Sequence, residues 1–143
     1  PAYLSVGLGW FGVQDDDDAA VDLRLEYRHD AGLWILKPWA GLEGTSDGGV
    51  WGGAGLYADV YLGDRLVLTP SLGAGAYAEG DGADLGSALE FRSQLELAYR
   101  FADRSRLGLA LSHLSNAGIS DDNPGVEVVS VYYHVPLAHL LSP

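Results

Sequence analysis

Residues 111 to 119, with the sequence LSHLSNAGI, carry an imidazole and a hydroxyl on the same side of one short stretch, at His113 and Ser115. A carboxylate follows at Glu127. Serine, histidine and a carboxylate are the groups of a serine hydrolase: the serine attacks a carbonyl, the histidine takes its proton, and the carboxylate orients the imidazole. The three residues are therefore candidates for such a site, provided that the fold brings them onto one surface.

The composition limits the folds and partners that need to be considered. The chain has 143 residues, 48% of them hydrophobic, 20 glycines and a formal net charge of −12. This length suits a single domain, and the acidic balance makes nucleic acid a poor partner. There is no cysteine and no apolar run of roughly 18 residues, so we expect neither thiolate chemistry nor a membrane-spanning helix. Because the chain begins at Pro1, we also expect a processed N-terminus.

Hydrophobic residues recur with a period of two along most of the chain, which predicts strands. The clearest case is the segment 21–28, where Val21, Leu23, Leu25 and Tyr27 alternate with charged residues. No amphipathic helix has this pattern. Eight such segments are predicted, over residues 2–13, 21–28, 33–44, 51–62, 65–79, 88–101, 105–116 and 126–137.

The connections between these segments alternate in length. Three are tight, at residues 29–32, 63–64 and 102–104, and four are longer and acidic or rich in glycine, at 15–20, 46–49, 80–87 and 117–125. Short turns at one end and longer loops at the other are typical of outer-membrane barrels. The sequence therefore predicts an all-β fold, an eight-stranded antiparallel transmembrane β-barrel in one domain, 1–143, with short periplasmic turns and longer extracellular loops.

The ionic residues distinguish this barrel from a soluble lipocalin-like one with an apolar interior. The charges on the polar faces form a neutral set of seven acids and seven bases: Asp22, Glu26, Glu43, Asp59, Glu79, Glu90 and Glu96, with Arg24, Arg28, Lys37, Arg65, Arg92, Arg100 and Arg106. A narrow interior needs such a balance, because an unpaired buried charge is costly. We therefore expect these charges inside and the leucines outside. The glycines Gly7, Gly9, Gly53, Gly55, Gly73 and Gly75 are expected inside as well, and aromatic residues are expected near the strand ends as an interfacial girdle, at Trp10, Tyr27, Trp34, Tyr99, Phe101 and Tyr133.

The same parity places the three candidate residues on the lipid-facing side. His113 and Ser115 continue the face of Leu111, and Glu127 shares its face with Val129. Neighbouring strands bring paired Cβ atoms to about 5 Å, so Glu127 can approach His113. Each residue alone could mark the point where the apolar band ends, but three on one face favour a hydrolase site. The loop after Ser115 offers oxyanion donors, at Asn116, Gly118 and Asn123.

The segment HLSNAGI, the NPG at 123–125 and Glu127 resemble the lipid A 3-O-deacylases of the PagL type, strongly over about the last third of the chain. The resemblance implies that His113, Ser115 and Glu127 are base, nucleophile and orienting acid on the outside of an eight-stranded outer-membrane barrel. It also implies an oxyanion hole formed by the Asn123 side chain and the Gly118 backbone N–H.

These expectations combine into a serine esterase that removes the acyl chain at the 3-position of lipid A, in the bacterial outer membrane. Lipopolysaccharide and outer-membrane lipids are then its partners, without a cofactor, and a homodimer is left open. An outer-membrane phospholipase and a non-enzymatic structural or adhesive barrel are the alternatives. The aspartates at 15–18 are expected to be a solvated charge run rather than a calcium site, and no metal is assigned.

Overall fold

A computed structural model describes residues 1–12, 20–78, 88–116 and 126–141. Within these ranges nearly all regular structure is antiparallel β-strand. The strands are β1 (Tyr3–Phe11), β2 (Ala20–Arg28), β3 (Lys37–Thr45), β4 (Val50–Tyr57), β5 (Val60–Leu62), β6 (Leu66–Ala78), β7 (Leu89–Arg100), β8 (Arg106–Ser115) and β9 (Val126–Pro136), followed by a short helix, α1 (Leu137–Leu141).

The strands close into an eight-stranded barrel, as predicted. Apart from β4 and β5, strands that are consecutive in the chain pair with each other, and β1 pairs with β9 to complete the ring. β4 and β5 count as one strand of the barrel, because both pair with β6 in one continuous register. This strand is interrupted opposite Pro70, which has no N–H for the ladder. The Ala58 N–H still donates to the Pro70 carbonyl oxygen at 3.1 Å.

Two connections differ from the predicted alternation of length. The turn after β2 covers residues 29–36, and the predicted strand 33–44 begins only at Lys37. Leu33 and Leu36 exchange two backbone hydrogen bonds, with Trp34 between them in the left-handed region at φ 60°. The loop at 46–49 is in turn a tight four-residue hairpin rather than a long loop. The other three predicted long loops lie outside the described residues, apart from Ala20, which begins β2.

The interior of the barrel is polar, and its buried arginines are paired with carboxylates. Arg24 donates to Asp22 at 2.9 Å and to Glu43 at 3.2 Å, and all three side chains are buried. From another wall, Arg92 lies 2.7 Å from Glu26. Since buried charges are tolerated only when they are paired and hydrogen-bonded, these contacts explain why the alternating ionic residues face inwards.

The predicted neutral set is only partly inside. Five of its acids and four of its arginines are buried: Asp22, Glu26, Glu43, Glu90, Glu96, Arg24, Arg28, Arg92 and Arg106. The Asp59 side chain is also largely shielded, by an ion pair with Arg106 at 3.1 Å. Arg65, however, is exposed, and Lys37 and Arg100 are half-buried near the short turns. Strand ends reach water, so parity does not bury a side chain there; Glu79 lies outside the described residues.

The exterior is apolar. Leu23, Leu42 and Leu109 are 58%, 61% and 59% exposed, and such leucines cover the outward positions of the strands. Five of the predicted girdle residues lie exposed at or beside strand ends, whereas Trp34 lies in the turn. Within the described ranges no helix is long and apolar enough to cross a membrane. Inner-face glycines leave room for rings: a Cβ on Gly53 would lie 2.6 Å from the Trp51 side chain.

Candidate active site

His113 and Glu127 form the best-defined polar contact on the outer face. They are direct cross-strand partners on β8 and β9, and His113 Nδ1 lies 3.0 Å from Glu127 Oε1. The two side chains are 44% and 28% exposed, so the pair is open to the surroundings of the barrel. The sequence-based expectation that these two residues approach each other agrees with this geometry.

This contact determines what the imidazole can do. A carboxylate only accepts hydrogen bonds, so the nitrogen facing Glu127 is the one that carries a hydrogen. The other nitrogen, Nε2, is then the basic atom of the neutral ring. The lone pair of the neutral His113 ring is therefore on the nitrogen that is directed away from Glu127.

Ser115 supplies a hydroxyl on the same face of β8. It pairs with Phe91 of β7, and its side chain is neither buried nor fully exposed. Residues two apart on a strand are about 6.6 Å apart along its axis, a separation that an imidazole and a serine side chain can bridge. β8 thus presents a base and a hydroxyl together, and β9 presents the carboxylate.

The predicted oxyanion donors have different outcomes. Gly118 and Asn123 lie outside the described residues, as does the rest of the segment 117–125. Asn116 is described, and it is completely buried. Because side chains alternate along a strand, the residue after Ser115 turns inwards, so the Asn116 side chain is not an exposed donor at this site.

Ser93 is a fourth polar residue at the same place, and it was not predicted as a site residue. It is exposed on β7 and pairs with His113 from the side opposite Glu127. On the described strands, the side chains that point outwards are apolar apart from the tyrosines and four residues: Ser93, His113, Ser115 and Glu127. The signal was available: Ser93 interrupts the face of Phe91 and Leu95 as His113 interrupts that of Leu111.

A groove of about 400 Å³ adjoins these residues. Its lining includes His113, Glu127 and Ser93 together with Leu95 and Leu111, which are cross-strand partners. The groove therefore combines a polar row, formed by Ser93, His113 and Glu127, with an apolar floor, formed by Leu95 and Leu111. A site for an acylated molecule needs both. Within the described ranges no group of three or more acidic or histidine side chains is arranged to hold a metal ion, and residues 15–18 are not among those described.

Comparisons with known proteins agree on one family. The profile of the lipid A 3-O-deacylase (PagL) family matches residues 18–136. The lipid A deacylase PagL of Bordetella bronchiseptica is 35% identical over 75 residues, which are 51% of this chain and 42% of that protein. The Pseudomonas aeruginosa protein of the same name is 35% identical over 54 residues, 38% of this chain and 31% of that one. The aligned parts thus span less than half the length of either relative.

Solved structures support the fold. A crystal structure of the outer-membrane enzyme PagL superimposes with a TM-score of 0.72 at 23% identity, covering 94% of this chain and 99% of that one. A de novo designed transmembrane β-barrel gives a TM-score of 0.64 at 12% identity, with 94% of each chain covered. At these identities the likeness concerns the barrel architecture alone.

Proposed function

Because the chain belongs to the lipid A 3-O-deacylase (PagL) family, we propose that it is a serine esterase that removes the ester-linked acyl chain at the 3-position of lipid A. The barrel lies in the outer membrane, as its family and its apolar exterior indicate. One observation carries the proposal: the contact between His113 and Glu127 is on the outer face, with the Ser115 hydroxyl two residues along the same strand.

The proposed reaction begins with attack of Ser115 Oγ on the ester carbonyl carbon, while His113 Nε2 takes the serine proton. The tetrahedral intermediate collapses, the bond to the sugar oxygen breaks, and His113 returns the proton to that oxygen. Water, activated by the same imidazole, then hydrolyses the acyl-serine and releases the fatty acid. Glu127 holds the ring and stabilises its charged form, which is a positioning role.

The negative oxygen of the tetrahedral intermediate needs donors. From the family resemblance we assign them to the Asn123 side chain and the Gly118 backbone N–H. Both belong to the segment that joins β8 to β9.

The outward direction of the site fits a lipid substrate. A soluble ester would have to enter the membrane to reach His113, whereas lipid A is already dissolved in the outer leaflet. Glycerophospholipids share this phase in part, and the same three residues could cleave their esters. The substrate class must therefore be decided by measurement of both lipids.

Mass spectrometry of lipid A and of phospholipids, after incubation with the purified protein in mixed micelles, tests the proposal. The wild-type protein should remove one acyl chain from lipid A and leave phospholipids intact, and Ser115→Ala should remove none. Ser130→Ala is a matched control, because its inward hydroxyl has no hydrogen-bond partner within the described structure. Ser130→Ala should retain full activity.

Each protein should migrate as a heat-modifiable folded barrel, so that loss of activity is not loss of fold. Deacylation by Ser115→Ala would contradict the assignment of the nucleophile. Cleavage of phospholipids in preference to lipid A would favour the phospholipase. Absence of any released fatty acid from the wild-type protein would favour a non-enzymatic barrel.

A further inference from the structure

Ser93 is part of the polar row on the outer face, but the proposed triad does not use it. It pairs with His113 across β7 and β8, and Glu127 pairs with His113 across β8 and β9. The imidazole therefore has the carboxylate on one side and the Ser93 hydroxyl on the other. A role for Ser93 has to be sought on the side of the site that faces away from Glu127.

The position of Ser93 is not the edge of the apolar surface. Leu89 and Phe91 precede it on the same face of β7, and Leu95 follows it. A hydroxyl in apolar surroundings is unfavourable unless it is hydrogen-bonded. Among the described residues no hydrogen bond to the Ser93 hydroxyl is found, so its partner is to be sought in a bound molecule.

The groove indicates which part of a substrate passes Ser93. Leu95 and Leu111 pair directly beside the pair of Ser93 and His113, on the side away from Ser115. An acyl chain whose carbonyl is at Ser115 would lie over these leucines. Diagonal neighbours on adjacent strands are about 7–8 Å apart, which places Ser93 near the first carbons of that chain after the carbonyl.

We infer that the Ser93 hydroxyl binds a hydroxyl group carried by the acyl chain close to the scissile carbonyl, and so selects 3-hydroxyacyl esters over unsubstituted ones. The inference rests on the proposed function, because it requires the carbonyl to be at Ser115. A serine hydroxyl both donates and accepts, which suits another hydroxyl. A site built for a hydroxyl rejects analogues that lack it, since its own polar group is then left unpaired.

Hydrolysis of two synthetic glucosamine esters tests the inference. One ester carries a 3-hydroxytetradecanoyl chain at the 3-position and the other a tetradecanoyl chain. For Ser93→Val, which replaces the hydroxyl with a methyl group, the ratio of the two kcat/KM values should fall about five- to tenfold, mainly through KM. Ser93→Thr retains a hydroxyl and should keep the ratio. Leu97→Ala, on the same face of β7 but not among the groove residues, should also keep it.

Equal losses on both esters would overturn the inference, and complete loss of activity in Ser93→Val would point to Ser93 as the nucleophile instead. Binding of the two esters to the Ser115→Ala protein tests the role of Ser93 independently of the proposed function. If wild-type protein hydrolyses neither ester, the proposed function fails. Tighter binding of the hydroxylated ester, abolished by adding Ser93→Val, would still support Ser93 as its binding residue, whereas equal binding of the two esters would refute it.

Discussion

His113 and Glu127 contact each other on the face of the barrel that carries the leucines, whereas the buried arginines lie on the opposite face. On a strand the two faces alternate residue by residue, so this placement is decided by single positions in β8 and β9. A molecule that reaches the pair must therefore approach from the side of the barrel and not through its lumen.

We expect Glu127→Ala to lower the kcat of deacylation by roughly one to two orders of magnitude relative to wild type. This loss should be smaller than that of Ser115→Ala. An orienting carboxylate usually contributes less than the nucleophile of the same triad. Glu127→Gln should lie between wild type and Glu127→Ala, because the amide oxygen can still accept from Nδ1 but carries no charge. Single-turnover rates on lipid A would measure the series. An effect of Glu127→Ala as large as that of Ser115→Ala would contradict a purely orienting role.

We expect Arg92→Met to destabilise the barrel by about 3–5 kcal/mol, because it leaves buried carboxylates without their partner. Arg92 lies 2.7 Å from Glu26 and 3.5 Å from Glu43, and its guanidinium is 4.4 Å from the Trp39 ring centroid. The matched control, Arg65→Met, removes an exposed arginine and should change stability by less than about 0.5 kcal/mol. Urea unfolding in lipid vesicles gives both values. Equal effects would show that the Arg92 pairs are hydrated.

We expect Leu109→Arg to cost about 2–4 kcal/mol in lipid vesicles, because Leu109 faces outwards in the middle of β8. Leu107→Arg, at the same face but near the end of the strand, should cost about 0–1 kcal/mol, since the arginine can reach the interface. The difference between the two substitutions measures depth in the bilayer. If the two cost the same, the outer face of β8 does not lie across the hydrocarbon layer.

The strands of the barrel could be predicted because each one separates two very different environments, the lipid and the polar interior. In β2 the inward and outward residues follow the predicted parity throughout, from Ala20 to Arg28. Lipid on one face and paired charges on the other leave no ambiguity about register. Where that contrast ends, at the rims, the prediction fails: Arg65 has the inward parity but is exposed.

The turn after β2 was predicted at 29–32, but its continuation over 33–36 was missed because the apolar residues there have the pattern of a strand. Leu33, Trp34 and Leu36 continue the hydrophobic pattern of β3, and nothing in it signals that the backbone reverses at Trp34. A left-handed conformation is unusual for such a residue. Only the two hydrogen bonds between Leu33 and Leu36 define this small hairpin.

The candidate site was partly predictable for the same reason as the strands, namely the contrast between their two faces. Polar residues on the lipid-facing parity are conspicuous, which located His113, Ser115 and Glu127. Ser93 has the same signal, but a single small hydroxyl among large apolar neighbours is easily passed over. The orientation of Asn116 follows from parity alone, whereas parity makes no prediction for loop residues such as Asn123.

The placement of Glu127 opposite His113 has a consequence for biogenesis. A slip of β9 by one position against β8 would turn Glu127 into the lumen and bring Val126 or Val128 to the outer surface. The same slip would turn Tyr132 and His134, which lie buried among the interior charges, towards the lipid. The polar interior therefore protects the alignment of the outer face during insertion, because the register that buries His134 is also the one that brings Glu127 to His113.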